Sequence, residues 1–137
     1  MNSRGICLII EDDPDTRSLL CLIFSREGFE VHAEATGAAS LLAAERPDLA
    51  LIALDLGLPD LNGHDVARRI RKLSDAPLLI INAWTEPGDE LDGMAAGAAA
   101  YLAKPFRTAQ LRALVHKLCP PSPVTTAPGL EGFRSSN

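Results

Sequence analysis

Aromatic residues are scarce, 4% of 137 residues with one Trp and one Tyr, so any core must be aliphatic. A basic excess is missing too. Thirteen Lys and Arg stand against 18 Asp and Glu, and the net charge of −5 argues against a nucleic-acid-binding surface by this chain. The cysteines are three, Cys7, Cys21 and Cys119, with no CxxC pair among them. Each lies in or beside an apolar segment, which points to buried free thiols in a reducing compartment. Long hydrophobic runs are also lacking: the N-terminal apolar run spans five residues before Glu11-Asp12-Asp13. That is too short for a signal peptide or a membrane span, and a cytoplasmic location is expected. The length suits one domain.

What the chain does have is alternation. Short apolar runs take turns with amphipathic stretches, the signature of βα units around a parallel sheet. Ile6–Ile10 reads as a buried strand, followed by a helix with Asp13 as cap, Pro14 in its first turn and Leu19, Leu20, Ile23 and Phe24 inward. Gly28 suits the end of that helix. Phe29–Ala35 is a second strand with Val31, Ala33 and Ala35 alternating, and Thr36 caps a short helix that stops before Pro47. Leu49–Leu54 is a third strand ending at Asp55. After turns at Gly57–Asp60 and Asn62-Gly63 comes a basic helix, with Val66, Ile70 and Leu73 inward and Arg68, Arg69, Arg71 and Lys72 solvated. Pro77–Ile81, Glu86–Ala96, Ala100–Ala103 and Arg107–Leu118 continue the pattern as strand, helix, strand and helix. The helix over Glu86–Ala96 is rich in Ala and Gly and is expected to be the least stable. In the last helix Leu111, Leu114, Val115 and Leu118 face the core. His32, His64 and His116 have no metal-ligand spacing and read as surface or edge residues. The expected fold is a doubly wound (βα)5 flavodoxin-like α/β domain, a parallel five-stranded sheet with helices on both faces, over residues 1–119. Residues 120–137, rich in Pro, Ser, Thr and Gly, read as a disordered tail or linker.

In open parallel sheets the functional site lies beyond the carboxyl ends of the strands. Glu11 and Asp12 follow the first strand, Asp55 the third, Asn82 the fourth and Lys104 the fifth. Several carboxylates cannot share a small site without a counterion, and this donor set suits Mg²⁺. A carboxylate is also a competent covalent acceptor in phosphoryl transfer, where positioning and charge neutralisation do most of the catalysis. Asp55 is the candidate nucleophile.

Three segments carry a resemblance. Cys7–Asp13, Leu54–Gly63 and Tyr101–Phe106 (YLAKPF) resemble, in that order, the motifs of response-regulator receiver domains of two-component signalling, a likeness extending over Ile6–Cys119. The resemblance implies that Asp55 is the phosphoacceptor, with Asp12 a direct metal ligand, Glu11 acting mostly through water and the Gly57 carbonyl completing the metal site. It implies that Lys104 binds phosphate, together with Asn82 and Ala83, that the Lys104-Pro105 bond is cis, and that Tyr101 changes rotamer on activation. A sensor histidine kinase or histidine phosphotransfer protein would donate the phosphoryl group. A downstream protein would read the helix–strand–helix face over Glu86–Leu118. Substrate turnover of a separate kind is not expected; a phosphatase would want a second Asp where Gly57 stands.

Two positions depart from the pattern. Asn82 occupies the place where the family expects Thr or Ser, which leaves two readings: altered but persistent switching, or a phosphate-independent pseudo-receiver acting as an interaction module. Trp84 reads either as a surface aromatic or as a shield against the water that hydrolyses phospho-Asp55. The second reading expects a longer-lived phosphoaspartate than in a Trp84→Ala variant.

Overall fold

The apolar runs become strands because each is bounded by turn or capping residues that the intervening helices use. In a computed structural model, which describes residues 4–83 and 87–121, the order is β1 (Ile6–Ile10), α1 (Pro14–Arg26), β2 (Glu30–Glu34), α2 (Gly37–Ala43), β3 (Leu49–Asp55), α3 (Gly63–Leu73), β4 (Leu78–Asn82), α4 (Asp89–Ala95), β5 (Ala100–Ala103) and α5 (Thr108–Leu118). The strands form one sheet in the order β2-β1-β3-β4-β5, with every pair parallel. This is the doubly wound, flavodoxin-like architecture. Alternate residues of the central strands divide between two cores. Cys7, Ile9, Leu51, Ala53, Leu79 and Ile81 pack under α1 and α5, through Leu20, Phe24, Leu111 and Val115. Leu8, Ile10, Ile52, Leu54, Leu78 and Ile80 pack on the other face with Val66, Ala67 and Ile70 of α3. The chain leaves β1 towards β2 on one side and β3 on the other, so a crevice opens beyond the carboxyl ends of β1 and β3.

The helix starts follow the side-chain chemistry. Asp13 accepts from the Thr16 N–H, Thr36 from Ala39 and Asn62 from Asp65. Gly28, just past α1, takes a left-handed φ of 99°.

Several expectations are corrected. Leu19 is 46% exposed and Leu73 42% exposed. The sheet-facing stripe of α1 is narrower than its apolar content, and Leu73 lies at the end of α3 beside the groove between α2 and α3, with Leu41 and Leu42. Ala33 is exposed, because β2 is an edge strand paired only with β1. The fourth helix starts at Asp89, since Gly88 adopts a left-handed φ of 95° that no helix interior accommodates; within it only Gly93 is buried. Arg71 is not solvated. Its guanidinium donates to the carbonyls of Ser74 and Ala76 and, at 3.3 Å, of Gly97, tying the α3–β4 and α4–β5 turns together. Cys7 is buried but Cys21 and Cys119 are only partly so, and all three are free thiols. His64 is half-buried, and its Nε2 is sealed from solvent without a hydrogen-bond partner. Beyond Pro121, the expected tail lies outside the described residues.

Glu27 closes the α1–α5 side. Its nearly buried carboxylate accepts from Arg112 Nε at 2.7 Å and pairs with His116 Nε2 at 2.6 Å, and it lies 3.5 Å from Arg4 Nη1. Burial pushes this carboxyl up, but the bonds from His116 and Arg112 outweigh it and leave the value lowered. A lowered carboxylate contributes stability that is present above its unfolded value and lost as pH falls through the folded one. Glu27→Ala removes the carboxylate shared by Arg112, His116 and Arg4, although Arg4 keeps its bonds to the Glu27 and Cys119 carbonyls, so a loss of about 1–2 kcal/mol is expected near neutral pH. In urea unfolding, the gap to wild type should close on acidification.

Candidate functional site

Parallel register brings the strand ends level. Ile10 pairs with Leu54 across β1 and β3, and Asp55 with Ile81 across β3 and β4. Glu11 therefore emerges beside Asp55, and Asn82 one residue beyond it. Lys104 follows β5 and donates its backbone N–H to the Asn82 carbonyl at 2.8 Å. Its ammonium lies 2.7 Å from Glu11 Oε1 and 3.4 Å from Asp55 Oδ2. The Gly57 N–H donates to Asp55 Oδ1 at 3.1 Å, and the Asp13 N–H to Glu11 Oε2 at 3.1 Å. Carboxylate oxygens of Glu11, Asp12 and Asp55 all lie within 4.8 Å of one another, with Glu11 and Asp55 buried and Asp12 exposed.

Such crowding has an electrostatic consequence. Burial, aided by the neighbouring Asp55, pushes the Glu11 carboxyl up to about 7, against the bond from Lys104 and that from the Asp13 N–H. Burial works against the Lys104 charge as well, but Glu11 and Asp55 reverse it and leave the amine raised. One ammonium among three carboxylates leaves an excess of negative charge. An all-oxygen donor set with one exposed member fits a hard divalent cation, which a single protein amine cannot replace.

The structure thus gathers Glu11, Asp12, Asp55, Gly57 and Lys104 into one crevice. Asn82 and Tyr101 meet at its rim, where Asn82 Nδ2 donates to the Tyr101 hydroxyl at 3.1 Å. Ala83 is exposed beside them, and the Lys104-Pro105 bond is cis. Trp84 and Glu86 lie outside the described residues. Two features were not legible beforehand. Lys104 approaches Glu11 more closely than Asp55. Arg17 on α1 donates to the backbone carbonyls of Glu11 at 3.0 Å and Asp12 at 3.2 Å, fixing the acidic turn. An Arg one helical turn after the acidic run was the only available signal.

A family model described as response regulator receiver domain matches residues 7–116. A DNA-binding response regulator, MtrA of Mycolicibacterium smegmatis, is 38% identical over 114 residues, covering 82% of this chain and 49% of its own length. The transcriptional regulatory protein KdpE of Mycobacterium tuberculosis is 35% identical over 116 residues, covering 82% and 51%. The chain therefore spans about half the length of these relatives. A CheY-like receiver domain protein from Methanospirillum hungatei superposes with a TM-score of 0.77 at 26% identity, covering 82% of this chain and 90% of that one. The receiver domain of a sensor histidine kinase from Pseudomonas aeruginosa superposes with a TM-score of 0.75 at 28% identity, covering 84% and 97%; it was solved with a magnesium ion coordinated in its active-site cleft.

Proposed function

Because the chain belongs to the response regulator receiver domain family, we propose that Asp55 accepts a phosphoryl group from a phosphohistidine on a sensor kinase or phosphotransfer protein. A carboxylate oxygen of Asp55 attacks phosphorus in line. The P–O bond forms as the P–N bond breaks, and the electron pair leaves with the imidazole, which takes up a proton and departs neutral. Lys104 balances the charge of the transferred oxygens. The Gly57 N–H, which donates to Oδ1, holds the carboxylate's orientation, and Arg17 keeps the acidic turn in place. Asp12 and Asp55, with Glu11 and the Gly57 carbonyl, would hold a Mg²⁺ ion that screens negative charge on the phosphoryl oxygens.

The observation that carries this reading is the placement of Asp55 and Lys104, 3.4 Å apart, at the ends of two different strands beside Glu11. Incubation with acetyl phosphate and Mg²⁺ should add one phosphoryl group to the protein, labile to hydroxylamine, and Asp55→Asn should abolish it. Wild-type protein that stays unmodified defeats the reading.

A protein that docks on the α4–β5–α5 face would carry the signal onward, and this family's members serve as signalling modules. No described helix is long and apolar enough to cross a membrane. The rival reading, a phosphate-independent interaction module, draws support from one observation: Asn82, where the family expects Thr or Ser, donates its amide to the Tyr101 hydroxyl.

A further inference from the structure

Between α2 and α3 runs a groove of about 660 Å³, away from the carboxylate crevice. Leu41 and Leu42 of α2, Leu73 of α3 and Leu61 of the loop before α3 supply its apolar surface. Leu42 is 72% exposed and Leu73 42%. A single exposed leucine is ordinary on a protein surface, but four bordering one concavity are the pattern of a docking surface.

Charge gives the groove two unlike walls. The basic residues of α3 divide by partner: Arg68 pairs with Asp65, and Arg71 is committed to backbone carbonyls. Arg69 and Lys72, three residues apart and so on one side of the helix, both border the groove. Glu45, just past α2, borders it from the other side. Among the described residues none of these three forms an ion pair. Opposite charges thus line the two walls without meeting across the opening.

The α2 wall is fixed in advance. Asp60 accepts from the N–H of Gly37 at 2.7 Å and of Ala38 at 3.0 Å, pinning the start of α2 to the loop that carries Leu61. Gly37 is buried there, and a Cβ on it would stand 2.9 Å from Leu61 Cδ1. A preformed wall lowers the ordering cost of binding.

We propose that this groove receives an amphipathic helix of a partner protein, its apolar ridge on the four leucines, acidic residues along the α3 flank and a basic residue towards Glu45. Two packed helices offer a third a groove for its ridge of side chains, and no strand lines this one. The 11 residues of α3 give a wall of about 16 Å, matching a helix of about three turns. Residues 122–137 of this chain are a poor match, with one acid, Glu131, close to Arg134. The groove shares no residue with the α4–β5–α5 face, which stays free to signal, and docking here does not depend on the phosphoacceptor reading.

The probe is a fluorescein-labelled synthetic helix of about three turns with leucines at i, i+3, i+4 and i+7. Glutamates line one flank and lysines the other. Titrated into the ¹⁵N-labelled full chain, it should move the amides of residues 38–45 and 69–73 together. By fluorescence anisotropy, Arg69→Glu/Lys72→Glu should bind it about tenfold more weakly. A peptide with lysine on both flanks should restore binding to that variant. Leu42→Ser should also weaken binding severalfold. The replaced side chains are exposed, so urea unfolding should find both variants close to wild type. A peptide that leaves those amides unmoved, or that binds the charge-reversed variant as well as wild type, overturns the proposal. Self-association in sedimentation that Leu42→Ser and Leu91→Ser each abolish also overturns it, because the occupant is then α4 of a second copy.

Discussion

Gly63→Ala is expected to destabilise the protein by about 3 kcal/mol, among the largest losses from adding a single methyl group anywhere in the chain. At an ordinary helix position this exchange would gain about 1 kcal/mol in helix propensity. Here Gly63 is buried in the first turn of α3, and a Cβ would come within 2.5 Å of the Leu56 Cα and 2.8 Å of its carbonyl carbon. Both obstacles are backbone, which has no rotamer to yield, so the collision decides the sign. Either α3 lifts from the sheet, loosening Val66 and Ile70, or the segment after Asp55 shifts. The second route reaches the site, because Leu56 lies between Asp55 and Gly57, whose N–H orients the Asp55 carboxylate. A drop in acetyl phosphate labelling should accompany the loss of stability. Gly57→Ala is the control: its Cβ would stand 3.7 Å from Asp55 Oδ1, an ordinary contact, and stability should hardly change. Urea unfolding of the two variants side by side checks this. Equal stabilities would show that the packing of α3 on Leu56 is soft.

Much of this architecture was legible because its central strands are buried on both faces. Ile6–Ile10 and Leu49–Leu54 are uninterrupted apolar runs, each ending in acid, and burial on both faces is the arrangement that produces such runs. The caps at Asp13 and Thr36 were legible for a local reason, since a cap bonds an N–H three residues on. What escaped was decided by distant backbone. Arg71 looks like its solvated neighbours Arg68 and Arg69 until the turns holding Ser74, Ala76 and Gly97 arrive beside it. β2 carries an alternating pattern, yet an edge position leaves Ala33 in solvent. The site followed the same division. The strand-end rule located Glu11, Asp55, Asn82 and Lys104, because topology alone fixes those positions. Which partner Lys104 approaches most closely depends on side-chain reach across two strands, and the packing role of Gly93 shows only when Ile80 and the Tyr101 ring are seen against it.

Lys104→Met is expected to slow phosphorylation of Asp55 by a factor on the order of 10² to 10³, the usual cost of losing one group that stabilises developing charge. Its effect on stability should depend on pH, and the direction follows from Glu11. With the ammonium present, the Glu11 carboxyl is pushed up to about 7, above its usual 4.5. A carboxyl raised on folding contributes stability that is full below its unfolded value and lost as pH rises through the folded one. Removing Lys104 deletes a contact that holds Glu11 down and leaves two buried carboxylates with no cation. Below about pH 5.5 the variant can meet that charge by keeping Glu11 protonated, and it should nearly match wild type. By about pH 8.5 it should trail by about 2–3 kcal/mol, because Glu11 must either ionise beside Asp55 or hold its proton against the solvent. Urea unfolding in the presence of a chelator, run across this range, gives the two gaps. A gap of the same size at both ends would mean that Lys104 contributes packing and not charge. At about pH 5.5, where both proteins are folded and nearly equal in stability, a variant that still fails to take up phosphate shows that Lys104 acts on the transfer itself. The ammonium that keeps Glu11 and Asp55 together in the resting protein is then the one that meets the incoming phosphoryl oxygens.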